Sequence, residues 1–129
     1  MGINVGDTAE PRTFGPITRT DIVRYAGASG DFNPIHHDQN FAEAAGFPTV
    51  FSIGMYQAAL LATYATDWLG ARNVRRFTVQ FREQVWPDDE LTCTGVVASV
   101  EGDEVEVDLT CTRQTGGVAI KGSARFLVA

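Results

Sequence analysis

Two cysteines, two histidines and two tryptophans are all that 129 residues contain of those types. Cys93 and Cys111 are too few for a disulfide scaffold. Both stand in strand-like text and read as free buried thiols of a reducing, cytoplasmic protein. Positive charge is also short. Ten Lys and Arg face sixteen Asp and Glu, for a formal charge of −6. A nucleic-acid surface needs clustered basic residues, so no nucleic-acid partner is expected. The one basic cluster, Arg72, Arg75 and Arg76, leaves room only for a local patch meeting a phosphorylated carrier. No basic segment leads into an apolar stretch at the N-terminus, so no signal peptide is expected. No uncharged apolar run reaches the ~20 residues that span a bilayer, so no membrane partner is expected. The two histidines, His36 and His37, are adjacent, and adjacent side chains diverge. With no cysteine or third histidine nearby, no metal site is predicted.

The rest of the composition, 44% apolar and 20% charged, is that of an ordinary globular domain. One domain over residues 1–129 is expected. After an irregular lead-in with a short strand near Arg12–Phe14, residues 18–28 read as a helix. Thr20 is a candidate N-cap, Asp21 sits in the first turn, and Ile22, Val23, Tyr25 and Ala26 form the apolar face. Gly27 and Gly30 end it. A short helical piece over Gln39–Ala45 stops at Gly46-Phe47-Pro48. Gly54–Leu69 reads as a long helix, apolar nearly all round and therefore buried on most sides, with Gly70 as its stop. Beyond residue 73 the period changes to two. Phe77, Val79 and Phe81 alternate with polar residues, as do Val105, Val107, Leu109 and Cys111, and then Ile120, Ala124 and Phe126. These are half-buried antiparallel strands. Leu91–Val100 is a less cleanly patterned fourth, and turns are expected at Glu101–Glu104 and Gly116-Gly117. The fold class is α+β: an antiparallel sheet curled round one long central helix. A single such unit leaves one side of the helix and a sheet edge poorly covered, and dimerisation would cover both. Small residues Gly54, Ala58, Ala62 and Ala65 share one helix face, for close packing on the sheet or for a wide channel.

The segment Gly30-Asp31-Phe32-Asn33-Pro34-Ile35-His36-His37-Asp38 sets an acid, an amide and an imidazole within six positions. Gly30 and Pro34 prevent one regular helix from running through it. Side chains on such a turn can converge, and a carboxylate and a histidine aimed at one water form an acid/base pair. Taken singly, Asp31 reads as a turn cap and His36 as a structural histidine; together, before a buried helix opened by Gly54, they read as catalytic. Asp38 reads as the cap of the helix from Gln39, and His37 as a neighbour without chemistry.

Asp31, Asn33, Pro34, His36 and Asp38, followed by Gly54-Met55, resemble the motif of the MaoC-like dehydratases, or (R)-specific enoyl-CoA hydratases. Val85-Trp86-Pro87-Asp88-Asp89-Glu90-Leu91 resembles their strand–turn–strand step, where Gly often stands at Asp88. The resemblance covers nearly the whole chain and implies the hotdog fold. It also implies reversible syn addition of water to a trans-2-enoyl thioester. Such chemistry needs a base, an acid and a donor for the charge building on the thioester oxygen. Asp31 and His36 supply the first two. The N–H of Gly54, at a helix start where amides are unpaired and the dipole favours negative charge, supplies the third. Asn33 is expected to orient the water or the histidine, and Ser52, Ile53 and Met55 to contact the substrate. No nucleophile elbow surrounds Ser52. Coenzyme A enters as part of an acyl-CoA substrate, or an acyl-carrier protein takes its place, and no resident cofactor is expected. Two departures stand out. Ile53-Gly54 replaces the His-Gly of many members, and Ala62 stands where some carry Ser, with Thr63 or Thr66 as stand-ins.

The partner expected is a second copy, as a homodimer, with a heteromer of two MaoC-like chains as the alternative; this chain would then be the catalytic half. A hotdog thioesterase would need an acid on the central helix, where only Asp67 stands, near the wrong end. A non-catalytic acyl-binding module is the remaining reading.

Overall fold

A computed structural model describes residues 2–128. Met1 and Ala129, the ends of the expected 1–129 domain, lie outside the described residues. The chain runs β1 (Arg12–Phe14), α1 (Arg19–Ser29), a 3-10 turn (Pro34–His36), α2 (Gln39–Ala44), α3 (Gly54–Leu69), a second 3-10 turn (Ala71–Asn73), β2 (Val74–Phe81), β3 (Leu91–Glu101), β4 (Glu104–Arg113) and β5 (Val118–Leu127). The five strands form one antiparallel sheet in the order β1-β3-β4-β5-β2. Its apolar face packs on α3, joining Leu61, Tyr64 and Ala65 to Val107, Leu109 and Phe126 in one core. This is the hotdog fold.

The periodicity carries most of this. Leu91, Cys93 and Val97 of β3 and Val105, Val107, Leu109 and Cys111 of β4 are buried while their neighbours face outward. β3 read poorly because its register shifts between Val97 and Ser99. One extra residue turns the phase, so Val100 rather than Ser99 continues the inner face. A second shift, between Cys111 and Thr112, explains why Ala119 is buried together with Ile120 on β5.

Two details of α1 differ from expectation. Thr18, not Thr20, is the N-cap: its Oγ1 accepts from Asp21 N–H at 3.0 Å, while Asp21 Oδ2 accepts from Thr18 N–H at 2.9 Å. That reciprocal pair satisfies two otherwise free amides, which Thr20 could not do. Gly27 lies inside the helix, and only Gly30, left-handed at φ 77, ends it. Val23 leaves the expected apolar face and is exposed, while Ile22 and Ala26 are buried in the core and Tyr25 packs against it.

α3 is buried on most sides. Met55, Ala59, Thr63 and Asp67, four apart, form its single exposed stripe. Ala58 and Ala65 are buried against the sheet, where Trp68 lies so close over Gly95 that a Cβ there would stand 2.9 Å from the indole. Among the described residues no helix is long and apolar enough to cross a membrane. β2 is an edge strand, bonded on one side only, to β5.

Candidate active site

The motif loop is held by its own short side chains. Gly30 N–H donates to Ala26 O and turns the chain out of α1. Asp31 Oδ1 accepts from Asn33 N–H at 3.2 Å, and Asn33 Oδ1 accepts from Ile35 N–H at 3.1 Å. Asn33 thus caps the 3-10 turn, whose first residue, Pro34, has no N–H to satisfy. Asp38 Oδ1 accepts from Phe41 N–H at 3.2 Å and caps α2. His37 turns back toward the Phe32 carbonyl at 3.4 Å, away from His36.

These turns aim His36 inward. Its Nδ1 stands 2.8 Å from the Phe51 carbonyl oxygen. A carbonyl only accepts, so Nδ1 carries the proton and Nε2 is the nitrogen left for chemistry. Nε2 faces Asp31 Oδ2 at 3.8 Å. That gap is too long for a direct hydrogen bond, and one water oxygen about 2.8 Å from each atom fits it. His36 is nearly buried and Asp31 is two-fifths exposed, so the pair straddles a boundary between protein and solvent.

His36 opens on a cavity of about 530 Å³, lined also by Phe51, Ser52, Gly54, Gln57 and Trp86. Gly54 begins α3. No side chain caps that end, and Gly54 N–H meets no acceptor among the described residues. A Cβ on Gly54 would stand 2.9 Å from the ring of Phe81, an exposed side chain that would have to turn aside. Phe51, Phe47 and Trp86 stack edge-on behind His36.

The far wall is the loop over residues 82–90, and its anchor was not foreseen. Asp89, 3% exposed, accepts from Trp86 N–H at 2.9 Å, Arg113 Nε at 2.8 Å and Gln114 Nε2 at 2.7 Å. Arg113 also reaches Glu83 at 3.0 Å. Burial pushes the Asp89 carboxyl up, but the bonds from Arg113, Gln114 and Trp86 N–H outweigh it and hold it below its ordinary value. The hydrogen bond to Asp89 raises Arg113 in turn. Asp88, in the same turn, has φ 74, the left-handed conformation that a glycine adopts freely. This accounts for the glycine that resembling chains carry there.

The expected site residues therefore divide. His36 and Gly54 line one cavity, and Asp31 stands 3.8 Å from His36 but outside that lining. Ser52 lines the cavity, but its hydroxyl donates to Gln57 Oε1 at 2.6 Å. Ile53 is buried in the core, Met55 is exposed outside the cavity lining, and Oδ1 of Asn33 is taken up by the turn. Of the small-residue face only Gly54 meets the cavity, so Ala58 and Ala65 serve close packing. Arg72, in the second 3-10 turn, and Arg75 and Arg76, at the start of β2, lie at the opposite end of that strand from Phe81 at the cavity, with Arg76 beside Glu106. Asp67 pairs with Arg12 at 2.8 Å. No group of His, Cys, Asp and Glu suited to a metal ion occurs among the described residues.

The sheet and helix are those of a hotdog protein, and His36, with Asp31 beside it, lines the same cavity as the start of that helix. The chain belongs to the MaoC-like domain family, whose model matches residues 3–117. The (R)-specific enoyl-CoA hydratase of Rhodospirillum rubrum is 31% identical over 117 residues, covering 87% of this chain and 80% of that one. The fatty acid synthase subunit beta of Saccharomyces cerevisiae is 39% identical over 71 residues, which are 52% of this chain and 3% of that protein. The chain thus spans only a small part of some curated relatives. In the crystal structure of the ChsH1-ChsH2 complex from Mycobacterium tuberculosis, one chain has the same fold, with TM-score 0.88, 23% identity and 98% of each chain covered.

Proposed function

We propose that the chain is an enoyl-thioester hydratase that adds water reversibly to a trans-2-enoyl-CoA, giving the (R)-3-hydroxyacyl-CoA. The carrying observation is the 3.8 Å gap between Asp31 Oδ2 and Nε2 of His36, which lines the same cavity as Gly54. A water held in that gap has both acid/base groups on one side. As its oxygen attacks the β-carbon, one proton passes to the pair and the electron pair of the double bond moves toward the thioester oxygen. The enolate then takes a proton at the α-carbon from the same pair. Hydrogen and hydroxyl enter from one face, which is syn addition. The Gly54 N–H donates to the thioester oxygen while it carries negative charge, an effect worth roughly 10²–10³ in turnover for a typical donor. Each acid/base group is worth roughly 10²–10⁴. The hydratase of R. rubrum supports the substrate class and the (R) configuration. Coenzyme A is the carrier in this reading and no resident cofactor takes part.

The thioesterase reading loses support, because Asp67, the only acid on α3, is ion-paired to Arg12 and does not line the cavity. The test is to incubate the protein with crotonyl-CoA and longer enoyl-CoAs, following loss of conjugated absorbance and resolving the product enantiomers. Saturable conversion to the (R)-3-hydroxyacyl thioester is expected. Release of free CoA without hydration, or the (S) product, contradicts it.

A second reading is favoured by the uncovered stripe on α3 and the free edge of β2. In it the chain is the catalytic half of a heteromer, an arrangement that the two-protein complex sharing its fold supports. Activity appearing only on mixing with a second MaoC-like chain distinguishes it from a homodimeric enzyme.

A further inference from the structure

Gln57 is 3% exposed, one of three buried polar or charged residues in the described chain. It lies one turn into α3, three residues after Gly54 and hence on the same helix face. Its Oε1 is fixed by the Ser52 hydroxyl at 2.6 Å. With the oxygen turned to Ser52, the Nε2 amino group points the other way. No acceptor meets Nε2 among the described residues, yet no side-chain nitrogen or oxygen there is both sealed and unpartnered. The amino group therefore opens on the cavity, which Gln57 lines together with His36 and Gly54. A buried amide with two free N–H groups is costly unless something accepts from it. In this place only water or a bound ligand can.

We infer that Gln57 is a second donor to the thioester oxygen of the substrate, set beside the Gly54 N–H and aimed by Ser52. This deepens the hydratase reading and rests on it. The ligand chemistry is specific. A thioester carbonyl offers two lone pairs, one for the backbone amide and one for the side-chain amide. When electrons shift to that oxygen in the enolate, both bonds strengthen, so the gain falls on turnover rather than on binding. Ser52 acts through Gln57 and is a positioning residue.

The test compares wild type with Gln57→Leu, which keeps the volume and removes the amide. Two readouts are taken: kcat and KM for crotonyl-CoA, and the near-ultraviolet absorbance of bound acetoacetyl-CoA. Acetoacetyl-CoA has no conjugated double bond to hydrate, and its enolate reports how well the site holds charge on the thioester oxygen. The inference predicts a kcat loss of about 10²-fold with KM within about threefold of wild type, and a lower enolate fraction. Unchanged kcat, or an unchanged enolate signal in a folded Gln57→Leu protein, overturns it. If that variant does not fold, Ser52→Ala decides. It leaves the glutamine in place and frees its amide, and a kcat loss of about tenfold with a reduced enolate signal is expected; wild-type values overturn the inference. Failure of the hydratase reading looks different: wild type leaves every enoyl-CoA unchanged, whatever Gln57→Leu does to the acetoacetyl-CoA signal.

Discussion

At the scale of single residues the account turns on which atoms are already occupied. His36 has one nitrogen committed to the Phe51 carbonyl, so its chemistry is confined to Nε2. Asp31 has Oδ1 committed to Asn33 N–H, leaving Oδ2 for the water. Gly54 leaves its amide accessible by lacking a side chain, and a Cβ there would press on the Phe81 ring. Phe81 is exposed and can turn aside, so Gly54→Ala should fold with a Tm close to wild type. Its kcat for crotonyl-CoA should fall about tenfold or more, through obstruction of the oxyanion position. Wild-type kcat in that variant would show that the helix start does not meet the thioester. The pairing of Asp31 with His36 was legible in the sequence, because both sit in one short proline-broken loop. The role of Asn33 was not, since an Asx turn and a water-orienting amide need the same residue type. Gln57 escaped notice because a glutamine in an apolar helix carries no signal until its partner, five residues back across the helix start, is known.

The elements were legible where one local rule decides. α3 ends at its glycine, and β4 alternates cleanly. Thr18 was missed in favour of Thr20 because only the geometry shows which threonine exchanges bonds with Asp21. The phase break in β3 hid behind Ala98. Least legible was the anchor of the 82–90 loop, whose members, Asp89 and Arg113, are 24 residues apart. Breaking it by Asp89→Asn should cost about 3 kcal/mol, read by denaturant unfolding, because the nearly buried guanidinium keeps only the more exposed Glu83 as counter-charge. The pH dependence has a definite sign. The folded carboxyl is held below the ordinary 3.8, so its stabilisation is present above that value and is lost as pH falls through the folded value. Wild-type Tm should therefore drop below about pH 4, and that part of the drop should be missing in Asp89→Asn. The same slope in both proteins would remove Asp89 from the account. β3 and β4 also place Cys93 opposite Cys111, both with no exposure. The hydrogen bond to Cys111, and then burial, push the Cys93 thiol up. Iodoacetamide should leave both untouched in the folded protein and modify both once it is unfolded. Rapid labelling under native conditions would contradict their burial.

For the whole molecule, what remains uncovered is informative. The stripe Met55, Ala59, Thr63 and Asp67 on α3 and the open side of β2 are the surfaces that a sheet curled round a helix cannot cover by itself. An unpaired edge strand presents free N–H and C=O groups and invites pairing. Light scattering at micromolar concentration should give at least twice the chain mass, either alone or with a second MaoC-like chain. A stable, active monomer would contradict this. The larger arrangement, with one helix side and one sheet edge uncovered, was legible from period alone; which stripe and which edge they are is read only from the assembled sheet.

If Asp31 and His36 act together on one water, Asp31→Asn must abolish hydration without unfolding the protein. The substitution keeps the bond from Asn33 N–H and the shape of the turn while removing the charge. Steady-state hydration of crotonyl-CoA should fall by roughly 10²–10⁴, with an unchanged melting curve. Turnover near that of wild type in the folded variant would contradict the account.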